Sequence, residues 1–197
     1  MNNFTVIDFR FANANDLYDE KYVHKDIWSR LYEYHYVIDF IKWNQYKNME
    51  KPKIHNTSWG FMGIHTMFRD ELDTIGECVH SDIVHSKERV TYYYDITTEE
   101  KQFENNFDFV LNVSTIEHLD TKELRIIAIE NLFKQVKPNG YLILSFDYPR
   151  VSLVEIETLV DAKCKVSENP LNGGNSVVKN MNYKDLNIIY LVVKKNE

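Results

Sequence analysis

The sequence predicts an α/β fold on a mostly parallel sheet of seven strands, and three observations carry that reading. Short apolar runs rich in Val, Ile, Phe and Tyr alternate with amphipathic segments of helical period from Lys53 onward. One run, "FDFVLNV" at 107–113, is almost wholly apolar, as expected of a strand covered by helices on both faces. Polar residues then follow abruptly, as in "STIEHL" at 114–119, and parallel sheets bind ligands just beyond the carboxyl ends of their strands.

The chain opens on a strand-like stretch, "FTVIDFRF". Residues 26–47 read as one long helix, because Ile27, Leu31, Tyr34, Ile38 and Ile41 recur at helical spacing. Its other positions carry Trp28, Tyr32, His35, Tyr36 and Trp43, too many aromatics for a solvated face, so the helix is expected to meet the sheet, a partner or a substrate. From Lys53, "KIHNTSWG" reads as a strand, "IHTMFRDEL" as a helix, "ECVHSDI" and "VTYYYDI" as strands, and "FDFVLNVS" as the next strand. Residues 121–137 form a helix with Leu124, Ile127, Ala128, Leu132, Phe133 and Val136 on one face, and "KPNG" is the turn that ends it. "YLILSFDY" is a strand, "SLVEIETLV" a helix, "KCKVSEN" a strand and "LNIIYLVVKK" the last strand. No helical pattern separates the final two, so they are expected to pair antiparallel as a terminal hairpin with a long loop. The scheme is a single domain of 197 residues, with 1–52 as an N-terminal aromatic helical cap and 53–197 as the core.

Composition removes several function classes. A formal charge of -7 argues against a nucleic-acid partner, which calls for clustered Lys and Arg. No apolar run approaches the ~20 residues that cross a bilayer, so no membrane association is expected and the reading is cytoplasmic. The two cysteines, Cys78 and Cys164, form no close pair, in keeping with a reduced compartment.

The succession of elements from residue 53 to 197 resembles the class I S-adenosylmethionine-dependent methyltransferases. Its most specific part is "FDFVLNVSTIEHL", a helix, and then "LFKQVKPNGYLILSF", which looks like the family's fourth strand, next helix and fifth strand. The resemblance implies a Rossmann-like sheet, S-adenosyl-L-methionine as cofactor, and the aromatic N-terminal helix as a cap over the substrate. In that family an acid closing the second strand binds both ribose hydroxyls, and Asp82 in "ECVHSDI" stands at that place. A carboxylate can accept two hydroxyl protons at once. Asp95 in "YYYDIT" matches the third-strand acid that meets the adenine amino group, with Ile96 beside the ring. The first loop, "NTSWGFMGIH", departs from the family's acid and Gly-x-Gly-x-Gly: Asn56 replaces the acid, Ser58 the first glycine, and Gly60 and Gly63 supply the backbone freedom.

The same resemblance places Asn112, Val113 and Ser114 against the cofactor and Glu117 and His118 near the transferred methyl. A histidine titrates where a base for a hydroxyl proton is needed, so His118 is the expected base and Glu117 its orienting or charge-stabilising neighbour. Each assignment has a structural counterpart: a strand-end Asp82 capping the next segment, and a Glu-His pair that only packs and orients the site. "HSDIVH" spaces His80, Asp82 and His85 like metal ligands, but on a strand His80 and Asp82 share a face while His85 lies past the end, so no metal is expected. His65 is expected to be structural.

The leading expectation is therefore methyl transfer to a hydroxyl oxygen of a small-molecule acceptor. "NPLNGGNS" with "STIEHL" looks most like the sugar and glycan branch of the family, and the aromatic cap would suit stacking on sugar rings. A non-catalytic binding protein of the same fold, with a decayed cofactor loop, is the alternative. A nicotinamide-dependent oxidoreductase is disfavoured by the absent Gly-x-Gly-x-x-Gly.

Overall fold

The computed structural model describes residues 3–12, 16, 19–22, 29–45, 51–59, 64–86, 89–165 and 187–197. In chain order the elements are β1 (Phe4–Phe11), α1 (Arg30–Gln45), β2 (Lys53–Thr57), α2 (Ile64–Ile75), β3 (Glu77–Asp82), β4 (Tyr92–Tyr93), β5 (Phe107–Val113), α3 (Lys122–Gln135), β6 (Val136–Tyr148), α4 (Leu153–Val160) and β7 (Asn187–Lys195). The seven strands form one sheet in the order β1-β7-β6-β5-β2-β3-β4. The pairings from β4 through β6 are parallel, and β7 runs antiparallel to both of its neighbours, β6 and β1.

Helices cover both faces, and the strands show it in their period of two. Phe109, Leu111 and Val113 of β5, Ile143 of β6 and Val192 of β7 pack under Val37, Ile38 and Ile41 of α1 and Phe68 and Leu72 of α2. The intervening Val110, Leu142, Leu144 and Leu191 turn to the other face, against Ala128, Ile129 and Leu132 of α3 and Ile156 of α4. This is the layering that a continuous apolar run such as β5 requires. Thr121 starts α3 by accepting the Leu124 N–H at 3.2 Å, a side-chain N-cap.

Two sequence expectations change in detail, and a third lies partly outside the described residues. The antiparallel partners of β7 are β6 and β1, so the edge place expected for "KCKVSEN" beside the last strand belongs to the chain's first strand. Of "KCKVSEN", Lys165 makes a single parallel bridge to Arg10 on β1, while residues 166–169 fall outside the described residues. A strand's alternation identifies it as a strand but not its partner. "KPNG" is a bulge within β6: Val136 faces Phe107 and Tyr141 faces Phe109, so residues 137–140 bow out opposite Asp108. Asn139 takes a left-handed backbone there, with φ 68°, and a Cβ on Gly140 would lie 2.8 Å from the Asp108 carbonyl oxygen. Only glycine tolerates that approach. The helix expected over 26–47 is described over Arg30–Gln45, its outer residues, Trp28 included, lying outside the described residues.

Candidate functional site

Two serines with left-handed backbones shape the carboxyl end of the sheet. Ser58, just past β2, has φ 52° and donates its N–H to the Ser81 carbonyl at 2.7 Å. Ser114, just past β5, has φ 45° and donates to the Ser145 carbonyl at 2.8 Å. A left-handed backbone costs a residue with a Cβ about 1–2 kcal/mol, and the strand-end hydrogen bonds hold both in place. Beyond these turns opens a cavity of about 640 Å³, a volume usual for small-molecule sites. Its walls come from the ends of β2 and β3, the turn after β4, and the end of β5, with Arg30 and Tyr34 of α1 and Phe68 of α2 closing one side. Tyr34 and Phe68 stack there with ring centres 3.9 Å apart.

Eight of the expected site residues meet at this cavity: Asn56, Ser58, Asp82, Asp95, Ile96, Val113, Ser114 and His118. Asp82 closes β3, and its Oδ1 accepts the Val84 N–H at 3.0 Å, so the capping role and a place on the cavity wall coincide. Asp95 Oδ1 accepts both the N–H and the hydroxyl of Thr97, at 2.8 and 2.7 Å, which shapes the turn that brings Ile96 to the wall. Asn112 is not on the cavity lining. It is fully buried and donates from Nδ2 to Thr57 Oγ1 at 2.9 Å, tying β5 to β2 beneath the cavity. Glu117 also stands off the lining, buried behind His118 in a single 3-10 turn at 116–118. Gly60, Gly63 and "NPLNGGNS" lie outside the described residues. His65, expected to be structural, lines the cavity and pairs its Nδ1 with the Tyr34 hydroxyl.

Sequence reasoning missed a buried charge cluster beside this wall. Glu33 of α1 is wholly buried, and its Oε1 accepts the hydroxyls of Ser114 at 2.6 Å and Ser145 at 2.7 Å. Its Oε2 meets Arg30 Nη1 at 2.5 Å. Burial alone would raise the Glu33 pKa, but Arg30 and the hydroxyls outweigh it and hold the carboxyl below its ordinary range. At Glu117 burial outweighs the pull of Arg30 instead. Neither carboxylate oxygen has a hydrogen-bond partner among the described residues, and burial, with Asp147 and Glu33 nearby, pushes its pKa up to about 8. Asp147, near the end of β6, rises to about 6 through burial and Glu33. His118 is shifted the other way: burial, then the charges of Arg150 and Arg30, lower its pKa below the ordinary imidazole value. The available signal was a lone Glu among the aromatics of "RLYEYHY", where a charge on a buried helix face calls for a partner.

The "HSDIVH" residues do not gather around one point. His80 Nε2 turns to Asp73 Oδ1 at 2.9 Å and its Nδ1 to Asn56 Nδ2 at 3.2 Å, while His85 stacks on Tyr93 with ring centres 5.4 Å apart.

No protein-family model matches the chain, and no curated protein matches it. Solved structures do. The N-methyltransferase NodS from Bradyrhizobium japonicum WM9 in complex with S-adenosyl-L-homocysteine is similar at TM-score 0.57 and 12% identity, covering 94% of this chain and 100% of that one. The DszA carbon methyltransferase is similar at TM-score 0.53 and 13% identity over 83% of this chain, which spans only 53% of the DszA chain. The PH0226 protein from Pyrococcus horikoshii OT3 reaches TM-score 0.50 at 16% identity, covering 84% and 92%. The likeness at these identities is one of fold: the chain has the Rossmann-like methyltransferase fold, with a mostly parallel seven-stranded sheet and an antiparallel strand near its edge. Among the described residues no helix is long and apolar enough to cross a membrane.

Proposed function

We propose that the chain is an S-adenosyl-L-methionine-dependent methyltransferase acting on a hydroxyl of a small molecule, with a sugar or related metabolite as the acceptor class. The observation that carries the reading is the meeting of Asp82, Asp95, Ile96 and the Ser58 turn at one cavity beyond the carboxyl ends of parallel strands. The residues fit the cofactor. Asp82 offers a carboxylate for a pair of ribose hydroxyls, Ile96 an apolar side for the adenine ring, and Ser58 a left-handed turn that carries the backbone past the ligand as a glycine would. Asn56 and Thr57 close the wall nearest that turn. The similarity to a methyltransferase solved with S-adenosyl-L-homocysteine supports the same ligand class.

When bound, the cofactor supplies an electrophilic methyl group. On the protein's side, the His118 imidazole stands at the cavity wall and can take the acceptor's hydroxyl proton on a ring nitrogen. Its lowered pKa keeps that nitrogen unprotonated through neutral pH. Glu117, neutral beside it in the same turn, adds no negative charge that would raise the imidazole's pKa.

Calorimetry with S-adenosyl-L-homocysteine tests the reading. Binding is expected, and Asp82→Ala should weaken it by about 1.5 to 3 kcal/mol, the range for hydrogen bonds to a charged group. A folded wild-type chain that takes no S-adenosyl-L-homocysteine would leave the non-catalytic alternative standing. For the base, the acidic limb of the pH-rate profile should fall below ~6.5. His118→Asn should lower turnover by roughly 10²- to 10⁴-fold with cofactor affinity unchanged. An unaltered profile in His118→Asn removes the histidine from the chemistry.

A further inference from the structure

Asp73 ends its reach from α2 at the point where Cys78 and His80 leave one face of β3. One ligand atom from each of the three lies within 4.8 Å of those of the other two. Cys78 and His80 are two apart on a strand, so both side chains project to the side that α2 covers. The tight link between α2 and β3 then delivers Asp73 to the same spot. We propose that Asp73, Cys78 and His80 form a binding site for a soft divalent transition-metal ion of the zinc class, with solvent water completing the shell.

The donor set is one thiolate, one imidazole and one carboxylate, the ligand types that zinc takes in tetrahedral sites. Ligand atoms around zinc stand closer together than 4.8 Å, so the three must draw in by about 1 Å, which the half-exposed Asp73 side chain can supply. His80 is only 3% exposed and its ring is already oriented from behind, because Asn56 Nδ2 meets Nδ1 at 3.2 Å and leaves Nε2 aimed at Asp73. With an ion on Nε2 the ring proton moves to Nδ1, so the Asn56 amide turns its oxygen there to accept it, and an outer acceptor of this kind fixes the ring of a metal-bound histidine. Asp73, at 47% exposure, gives an ion a way in from solvent.

Binding replaces the hydrogen bonds within the triad by bonds to the ion, and the proton of the Cys78 thiol passes to solvent. Thiolate and carboxylate then offset the two positive charges. Arg69, buried and stacked over Trp59 at 4.9 Å, stands beside the cluster and opposes a cation held by charge alone. That selects an ion that bonds sulfur strongly over magnesium or calcium, which bind hard oxygens. The site lies outside the cavity, linked to it by Asn56, which touches His80 and lines the cavity wall.

The test is titration of the tag-free, metal-stripped full chain with cobalt(II), followed by zinc. One equivalent of cobalt is expected to bind with a thiolate-to-metal charge-transfer band, zinc is expected to displace it, and excess zinc should raise the melting temperature. Cys78→Ser should abolish the band, and the exposed replacement Asp73→Asn should weaken cobalt by more than the roughly 10- to 100-fold that loss of a supporting contact costs. His85→Ala should change nothing. A wild-type chain with no charge-transfer band overturns the proposal, as does a band that survives Cys78→Ser, which would place the sulfur at Cys164, or one that His85→Ala removes.

Discussion

Glu117 is a carboxyl buried to 8% exposure with no hydrogen-bond partner among the described residues, so its free energy depends on keeping its proton. Its folded pKa of about 8 lies above the ordinary value of 4.5. Between those two values the unfolded chain has lost the proton and the folded chain still holds it, so stability falls as pH rises through the window and levels off above it. The slope approaches about 1.4 kcal/mol per pH unit. Glu117→Gln removes the titration while keeping the shape. It should raise the melting temperature relative to wild type at pH 8 and converge toward it near pH 4.5. Parallel melting curves across that range check it, and a difference independent of pH would show that the carboxyl is solvated. At this scale the place of two residues was legible from residue type, since Asp82 at the end of β3 and His118 in the turn after β5 both line the cavity. The sequence was silent on the left-handed backbones of Ser58 and Ser114, because nothing in a serine announces one, and on Asp73, whose partners lie on the next element.

Helix α1 joins the sheet to the cavity wall. Its helical spacing was legible, and of the sheet, partner and substrate left open for its aromatics Tyr36 takes the sheet, stacking on Tyr190 of β7 at 4.0 Å and donating its hydroxyl to Asp8 of β1 at 2.7 Å, while Tyr34, on the apolar spacing, stacks on Phe68. Among the described residues of this helix, Arg30 and Tyr34 line the cavity. The helix is pinned by Glu33, whose carboxylate collects hydroxyls from the ends of β5 and β6 and the guanidinium of Arg30. Glu33→Ala would strand the Arg30 charge in the interior and leave two serine hydroxyls unpaired, at a cost of about 3–5 kcal/mol. Denaturant unfolding at neutral pH measures it. A loss below ~1 kcal/mol would mean that water reaches the cluster. The terminal strands were legible as strands from their apolar runs, whereas their neighbours were not, since pairing is set by contacts between residues more than 150 positions apart, such as Phe4 with Lys195.

For the whole molecule, the sheet order places the cavity where β2 and β5 part company in chain direction of growth: from β2 the sheet extends through β3 to β4, and from β5 through β6 to β7 and β1. A crevice forms at such a switch point because the connections leave toward opposite faces. That much follows from alternating strands and helices, and it is why the strand-end acids could be located from sequence. The far edge holds a separate consequence. β7 is inserted between β6 and β1, and Asn3 and Asn196 are joined by a backbone hydrogen bond of 3.0 Å. During synthesis, then, β1 waits without its partner until residues 187–195 have emerged, and the edge of β6 stays unsealed until the same moment. The nascent chain carries β1 unpaired from early in its translation and the open edge of β6 from residue 148 until β7 arrives, a state that invites pairing with other chains, and the closing event is a single antiparallel insertion that closes the longest loop among the described pairings.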